Sequence, residues 1–113
     1  MRKPEDPREL AIAIASRSTC AVQVGAVLAD KHGIFAWGHN HMGSNGLGMH
    51  AEAHAFSRAN PRRLKNATLY VAALRRKSKS TVTARPCEDC QRFVRACAQT
   101  FYRDRLGWIW LRT

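Results

Sequence analysis

The sequence predicts an α/β fold in which a mixed sheet of four to five strands is flanked by helices. Helical and β-type hydrophobic periods succeed one another in the order αββαβαβ. The segment carrying the third strand, third helix and fourth strand suits a crossover connection between strands of one sheet. The chain has 113 residues, 45 % of them hydrophobic, so residues 1–113 are expected to form a single domain around one modest core.

Pro4, Pro7 and Glu9 open a helical pattern that runs through Leu10, Ala13, Ile14 and Arg17. Val22, Val24, Ala26 and Leu28 then alternate with Gln23 and Gly25, the period of a strand. Asp30-Lys31-His32-Gly33 is a turn, and Ile34-Phe35-Ala36-Trp37 returns as the hairpin partner. Residues 38–49 hold four glycines and two asparagines and read as a long loop, and loops of that length are usually functional. A second helix is expected over residues 50–59, stopped by Asn60-Pro61. Residues 67–74 (ATLYVAAL) are rich in β-formers, and Thr81-Val82-Thr83 suggests a short extension. Pro86 marks a third helix start, with Phe93, Val94 and Cys97 giving an apolar face, and Trp108–Leu111 reads as the last strand. Trp37 and Tyr70 are read as core aromatics, with base stacking as the alternative.

Charge is distributed unevenly. Residues 1–52 carry five Lys/Arg and five acids, whereas residues 53–113 carry fourteen Lys/Arg and three acids, so the whole formal charge of +11 lies in the second half. That asymmetry is the footprint of a phosphorylated substrate or of single-stranded nucleic acid bound through the basic C-terminal half; a solubility surface is the plain alternative. Arg outnumbers Lys fourteen to five, and the guanidinium fork suits oxyanions. No stretch approaches the ~18 apolar residues of a membrane helix, and the N-terminus lacks the apolar core of a secretory signal. No membrane partner and a cytoplasmic location are therefore expected.

Without an export signal, the four cysteines are expected to be thiols or metal ligands. Cys20 and Cys97 read as small buried residues. Cys87 and Cys90 form C-x-x-C at a helix start, where the positive end of the helix would lower a thiol pKa. With His50 they make a set of two soft thiolates and one imidazole, which suits Zn2+ and leaves a fourth tetrahedral position for water. Glu52, two residues from His50, supplies a carboxylate able to take a proton from that water and deliver it to a ring nitrogen and a leaving amine. The alternative is a structural zinc with Cys97 or a further histidine as fourth ligand. His54 is expected beside the pocket, and His39 and His41 either at a substrate entrance or solvated.

The H-x-E…P-C-x-x-C pattern is the signature of zinc deaminases. In order, GAVLADKHGIFAWGHN, MHAEAHA, ATLYV and RPCEDC make residues 8–111 resemble the zinc-dependent cytidine/deoxycytidylate deaminase superfamily, which includes deaminases of tRNA adenosine and of polynucleotide cytosine. The resemblance implies a three-layer α/β/α cytidine-deaminase-like fold, zinc held by His50, Cys87 and Cys90, and Glu52 as the proton shuttle. It also implies that Asn40 binds the substrate's sugar and that the Ala51 N–H binds its base. The expected activity is deamination of a cytosine-type base in a free (deoxy)cytidine nucleoside or nucleotide. The alternatives are cytosine or adenine in single-stranded DNA or RNA, and an inactive zinc-stabilised nucleic-acid-binding module. Two departures stand out: fifteen residues, 71–85, separate Tyr70 from Pro86, and the chain stops soon after Trp108 and Trp110. An uncovered sheet edge there leads to the expectation of a homo-oligomer.

Overall fold

Capping and turn chemistry set where the elements begin. In the computed structural model, which describes residues 6–42 and 48–111, Asp6 caps helix α1 (Pro7–Ala15) by accepting from the Arg8 N–H at 2.9 Å. Pro7 occupies the first turn, where no N–H is needed. Strand β1 (Val22–Asp30) turns into β2 (Gly33–His39) at Gly33, whose φ of 112° lies in the region glycine enters without strain. The expected loop at 38–49 contains a two-stranded ribbon, β3 (His41–Met42) with β4 (Gly48–Met49), while residues 43–47 lie outside the described residues. Helix α2 (Ala51–Arg58) follows, then a one-turn helix α3 (Pro61–Leu64) started by the Asn60 side chain. Strand β5 (Thr68–Arg75) and the short β6 (Thr81–Val82) form a hairpin across the basic run. A 3-10 turn (Glu88–Cys90) leads into α4 (Gln91–Ala96), then β7 (Gln99–Asp104) and β8 (Gly107–Leu111).

The sheet runs β2-β1-β5-β7-β8, with β6 attached to β5. β1 pairs along the whole of β5, from Val22↔Arg75 to Ala29↔Thr68. The other edge of β5 is divided: residues 68–71 pair in parallel with β7, and Ala73 and Leu74 pair with β6. All other pairings in this sheet are antiparallel, so it is mixed, as expected, but among the described residues it has six strands and not four to five, because β6 and β7 share one edge of β5.

The crossover differs from the sequence expectation. The parallel partner of β5 is β7, and Trp108–Leu111 belongs to β8, which folds back antiparallel on β7 through Gly107 (φ 125°). QTFYRD hides a strand because its inward positions are Thr100 and Tyr102, so no apolar alternation marks it. The long insertion 71–85 is the end of β5, its basic turn and β6.

Strand alternation sorts side chains into two layers of contact. Val27 and Ala72 face α1 with Ala11, and Tyr70 and Trp108 pack beside them. Ala26, Leu28, Leu69, Val71 and Ala73 face the opposite way, onto Ala51 and Ala55 of α2 and Val94 of α4. The molecule is therefore three layers, α1 over the sheet and α2 with α4 beneath it. Trp37 is a correction: on the edge strand β2 it is 38 % exposed and not part of the core. Cys20 and Cys97 are only half-buried. Among the described residues, no helix is long and apolar enough to cross a membrane.

Candidate metal centre

Two helix starts on the same side of the sheet deliver the donor set. α2 and α4 are packed through Ala55 and Val94, with the Phe56 and Phe93 rings 4.7 Å apart. His50 precedes α2 as its N-cap in extended backbone, and Cys87 holds the same position before the 3-10 turn. Cys90 ends that turn, its N–H donating to the Cys87 carbonyl at 3.0 Å.

His50 Nδ1 lies 3.2 Å from Cys90 Sγ and 3.6 Å from Cys87 Sγ. Nitrogen and sulfur ligands sharing one tetrahedral ion of ordinary bond lengths stand about 3.6 Å apart. The three donors therefore fit a zinc-sized ion without rearrangement of the backbone. Among the described residues this group holds three donors, and neither Cys97 nor another histidine joins it. Cys97 lies at the far end of α4, where burial pushes its thiol up to about 12. A fourth side-chain ligand, the mark of a closed structural site, is not found in this group among the described residues.

The electrostatics correct one expectation. The Cys90 thiol is pushed up, not down, first by burial and then by the neighbouring Glu52 carboxylate. A three-residue turn leading into a six-residue helix offers little dipole to offset that. A divalent cation at the same point supplies the missing positive charge and favours the thiolate. Glu52, in the first turn of α2, is 5 % exposed. Burial raises its carboxyl above the usual range, while its hydrogen bonding to Cys90 and the His50 charge pull the other way.

The remaining candidates have distinct positions. Ala51 is the first residue of α2, so its N–H has no acceptor within the helix. Asn40 clamps the end of β1: its Nδ2 donates to the Val22 carbonyl and its Oδ1 accepts from the Val24 N–H, both at 2.8 Å. An Asn side chain so engaged keeps one N–H and one lone pair for another partner. His54 does not turn toward His50. It joins His39 and His41 in a second cluster. Sequence reasoning set His39 and His41 together at an entrance or in solvent and His54 apart from them, beside the pocket; the available signal was that 39 and 41 are two apart in extended chain and so share a face.

Three comparisons bear on this geometry. A sequence profile described as the cytidine and deoxycytidylate deaminase zinc-binding region matches residues 1–102. Comparison with curated proteins by sequence gives no significant match. Among solved structures, the cytidine deaminase of Burkholderia pseudomallei is similar at a TM-score of 0.70 and 17 % identity, over 93 % of this chain and 88 % of that one. A mutant cytidine deaminase of Mycobacterium tuberculosis is similar at a TM-score of 0.60 and 18 % identity, over 89 % and 84 % of the two chains. At these identities the structural likeness speaks for the fold. The profile covers most of the chain, including the helix starts that carry the imidazole and both thiols, and on that ground the chain belongs to the cytidine and deoxycytidylate deaminase zinc-binding family.

Proposed function

We propose that the chain is a zinc-dependent hydrolase that removes the exocyclic amine of a cytosine-type base, with a free (deoxy)cytidine nucleoside or nucleotide as its substrate. The observation that carries this reading is the three-donor group of His50, Cys87 and Cys90 set beside the buried Glu52, in a chain of this family. When bound, zinc supplies Lewis acidity that brings the pKa of a water to about 7. His50, Cys87 and Cys90 hold the ion, and Glu52 moves the protons. Its carboxylate takes one from the attacking water, passes it to the ring nitrogen N3, and returns a proton to the departing amine. The C4–O bond forms first, as N3 takes its proton, and the C4–N bond breaks afterwards, as the amine takes the second; the products are a uracil-type base and ammonia. Burial that raises the Glu52 carboxyl above the usual range suits that cycle, because such a carboxylate takes up a proton more readily than a solvated one. In this reading the Ala51 N–H, without an acceptor in α2, donates to the base, and the spare polar capacity of Asn40 takes a sugar hydroxyl.

A second reading is a polynucleotide substrate, favoured by the exposed basic turn between β5 and β6, with Arg75, Arg76, Lys77 and Lys79. Incubation of the zinc-loaded protein with bases, nucleosides, monophosphates and oligonucleotides, read by product mass, separates the two. Turnover of a nucleoside or monophosphate with none on oligonucleotides supports the first. Oligonucleotide turnover, with binding that weakens steeply with salt, supports the second. Binding with no deamination of any substrate would favour an inactive nucleic-acid-binding module and overturn the enzymatic reading.

A further inference from the structure

We infer that His39, His41 and His54 form a second metal site, built of three imidazoles without sulfur, for a divalent first-row transition ion. The inference does not rest on the deaminase reading, which uses none of these rings.

Three elements converge to make the cluster. His39 ends β2, His41 begins β3 and His54 lies in α2. The ring centroids stand 5.4 Å apart for His39 and His41, 5.3 Å for His39 and His54, and 4.7 Å for His41 and His54. One ring nitrogen from each lies within 4.8 Å of the other two. Gly38 permits the approach: a Cβ there would fall 2.5 Å from the Ala55 nitrogen and 2.7 Å from His54 Cβ.

The hydrogen bonds leave the neutral His39 and His41 rings one open nitrogen lone pair each. His39 Nδ1 faces the Asn40 carbonyl at 3.1 Å, and His41 Nδ1 faces the His39 carbonyl at 3.0 Å. Carbonyl oxygens only accept, so both Nδ1 atoms carry the proton and Nε2 is left as the donor to a cation. Histidines that ligate metals are oriented by the same kind of outer contact. His54 Nδ1 accepts from the His39 N–H at 3.2 Å, so its lone pair is available in exchange for one hydrogen bond. Burial, then the charges of Arg58, His41 and His39, lowers the His54 pKa, which keeps that ring in the neutral form a metal needs.

Nitrogen ligands of one such ion stand about 2.9–3.3 Å apart, for right-angled or tetrahedral geometry, so the half-buried rings close in by up to roughly 1.9 Å on binding. An all-nitrogen set follows the general preference for nickel and copper, whereas the thiolates at the other centre select zinc. An ion here would tie the end of β2 and the start of β3 to α2, the helix that carries Glu52.

The test uses the full chain already holding one zinc, titrated with Ni2+ and followed by calorimetry and metal analysis. One nickel is expected per chain in addition to the zinc, without sulfur-to-metal charge-transfer absorption. His41→Ala should weaken nickel binding at least tenfold while zinc content and thermal unfolding of the zinc-loaded chain are unchanged. On the unmodified chain, substoichiometric Ni2+ should broaden the ring resonances of His39, His41 and His54 before any others. Uptake of no second ion, displacement of zinc by nickel, first broadening elsewhere, or unchanged affinity in His41→Ala would each overturn the site.

Discussion

Glu52 is a carboxyl that its surroundings hold back from ionising: it is 5 % exposed, and desolvation outweighs the help of Cys90 and His50. Glu52→Gln keeps the shape and, on the proposed function, removes the proton transfer. Ammonia release should fall by about 10²- to 10⁴-fold, with zinc content by metal analysis unchanged. Asp30 presents the opposite case. Arg63 donates to it through Nε at 2.7 Å and Nη2 at 2.6 Å, and that pairing holds the Asp30 carboxyl down at about 2. Asp30 thus binds its proton more weakly in the fold than in the unfolded chain, where the pKa is about 3.9. The pair adds stability above pH ~4, and that contribution is lost as the pH falls through about 2. Asp30→Asn should lower the melting temperature near neutral pH, and its difference from the wild type should vanish toward pH 2. At this scale the candidate residues were legible in the sequence, because His50, Glu52, Cys87 and Cys90 announce themselves by spacing, and the fold brings the three donors together. The raised pKa of Cys90 was not, since it comes from burial and from Glu52, a residue nearly forty positions away.

Elements meet closely where a glycine lets them. A Cβ on Gly25 of β1 would overlap the Ala11 carbonyl oxygen and lie 2.5 Å from the Ala15 nitrogen, so α1 rests directly on the strand. Gly25→Ala should destabilise the protein by about 1–3 kcal/mol or more, read from denaturant unfolding. Strands β1, β2 and β5 were legible because Val, Leu, Ala and Phe mark their buried faces. Strand β7 was not, since its inward residues are Thr100 and Tyr102, and its place beside β5 follows from pairing across about thirty residues. The ribbon of β3 and β4 and the turn of α3 are too short for any periodicity to show.

For the whole molecule, zinc links folding to ligand concentration. An ion that binds only the folded chain adds about 2.7 kcal/mol at a hundredfold excess over its Kd. A chelator should therefore lower the melting temperature, and His50→Ala should abolish the difference between chelated and zinc-loaded samples. The longer helices, the strands β1, β2, β5 and β8, the donor types and the uneven charge could be read along the chain, because each depends on neighbours a few residues apart. The closing of His50 onto Cys87 and Cys90, the sharing of β5 between β6 and β7, and the gathering of His39, His41 and His54 required the folded sheet. Those arrangements join residues that no local period connects. They arise only when α2 and α4 pack beneath the sheet and bring distant turns within a few ångströms.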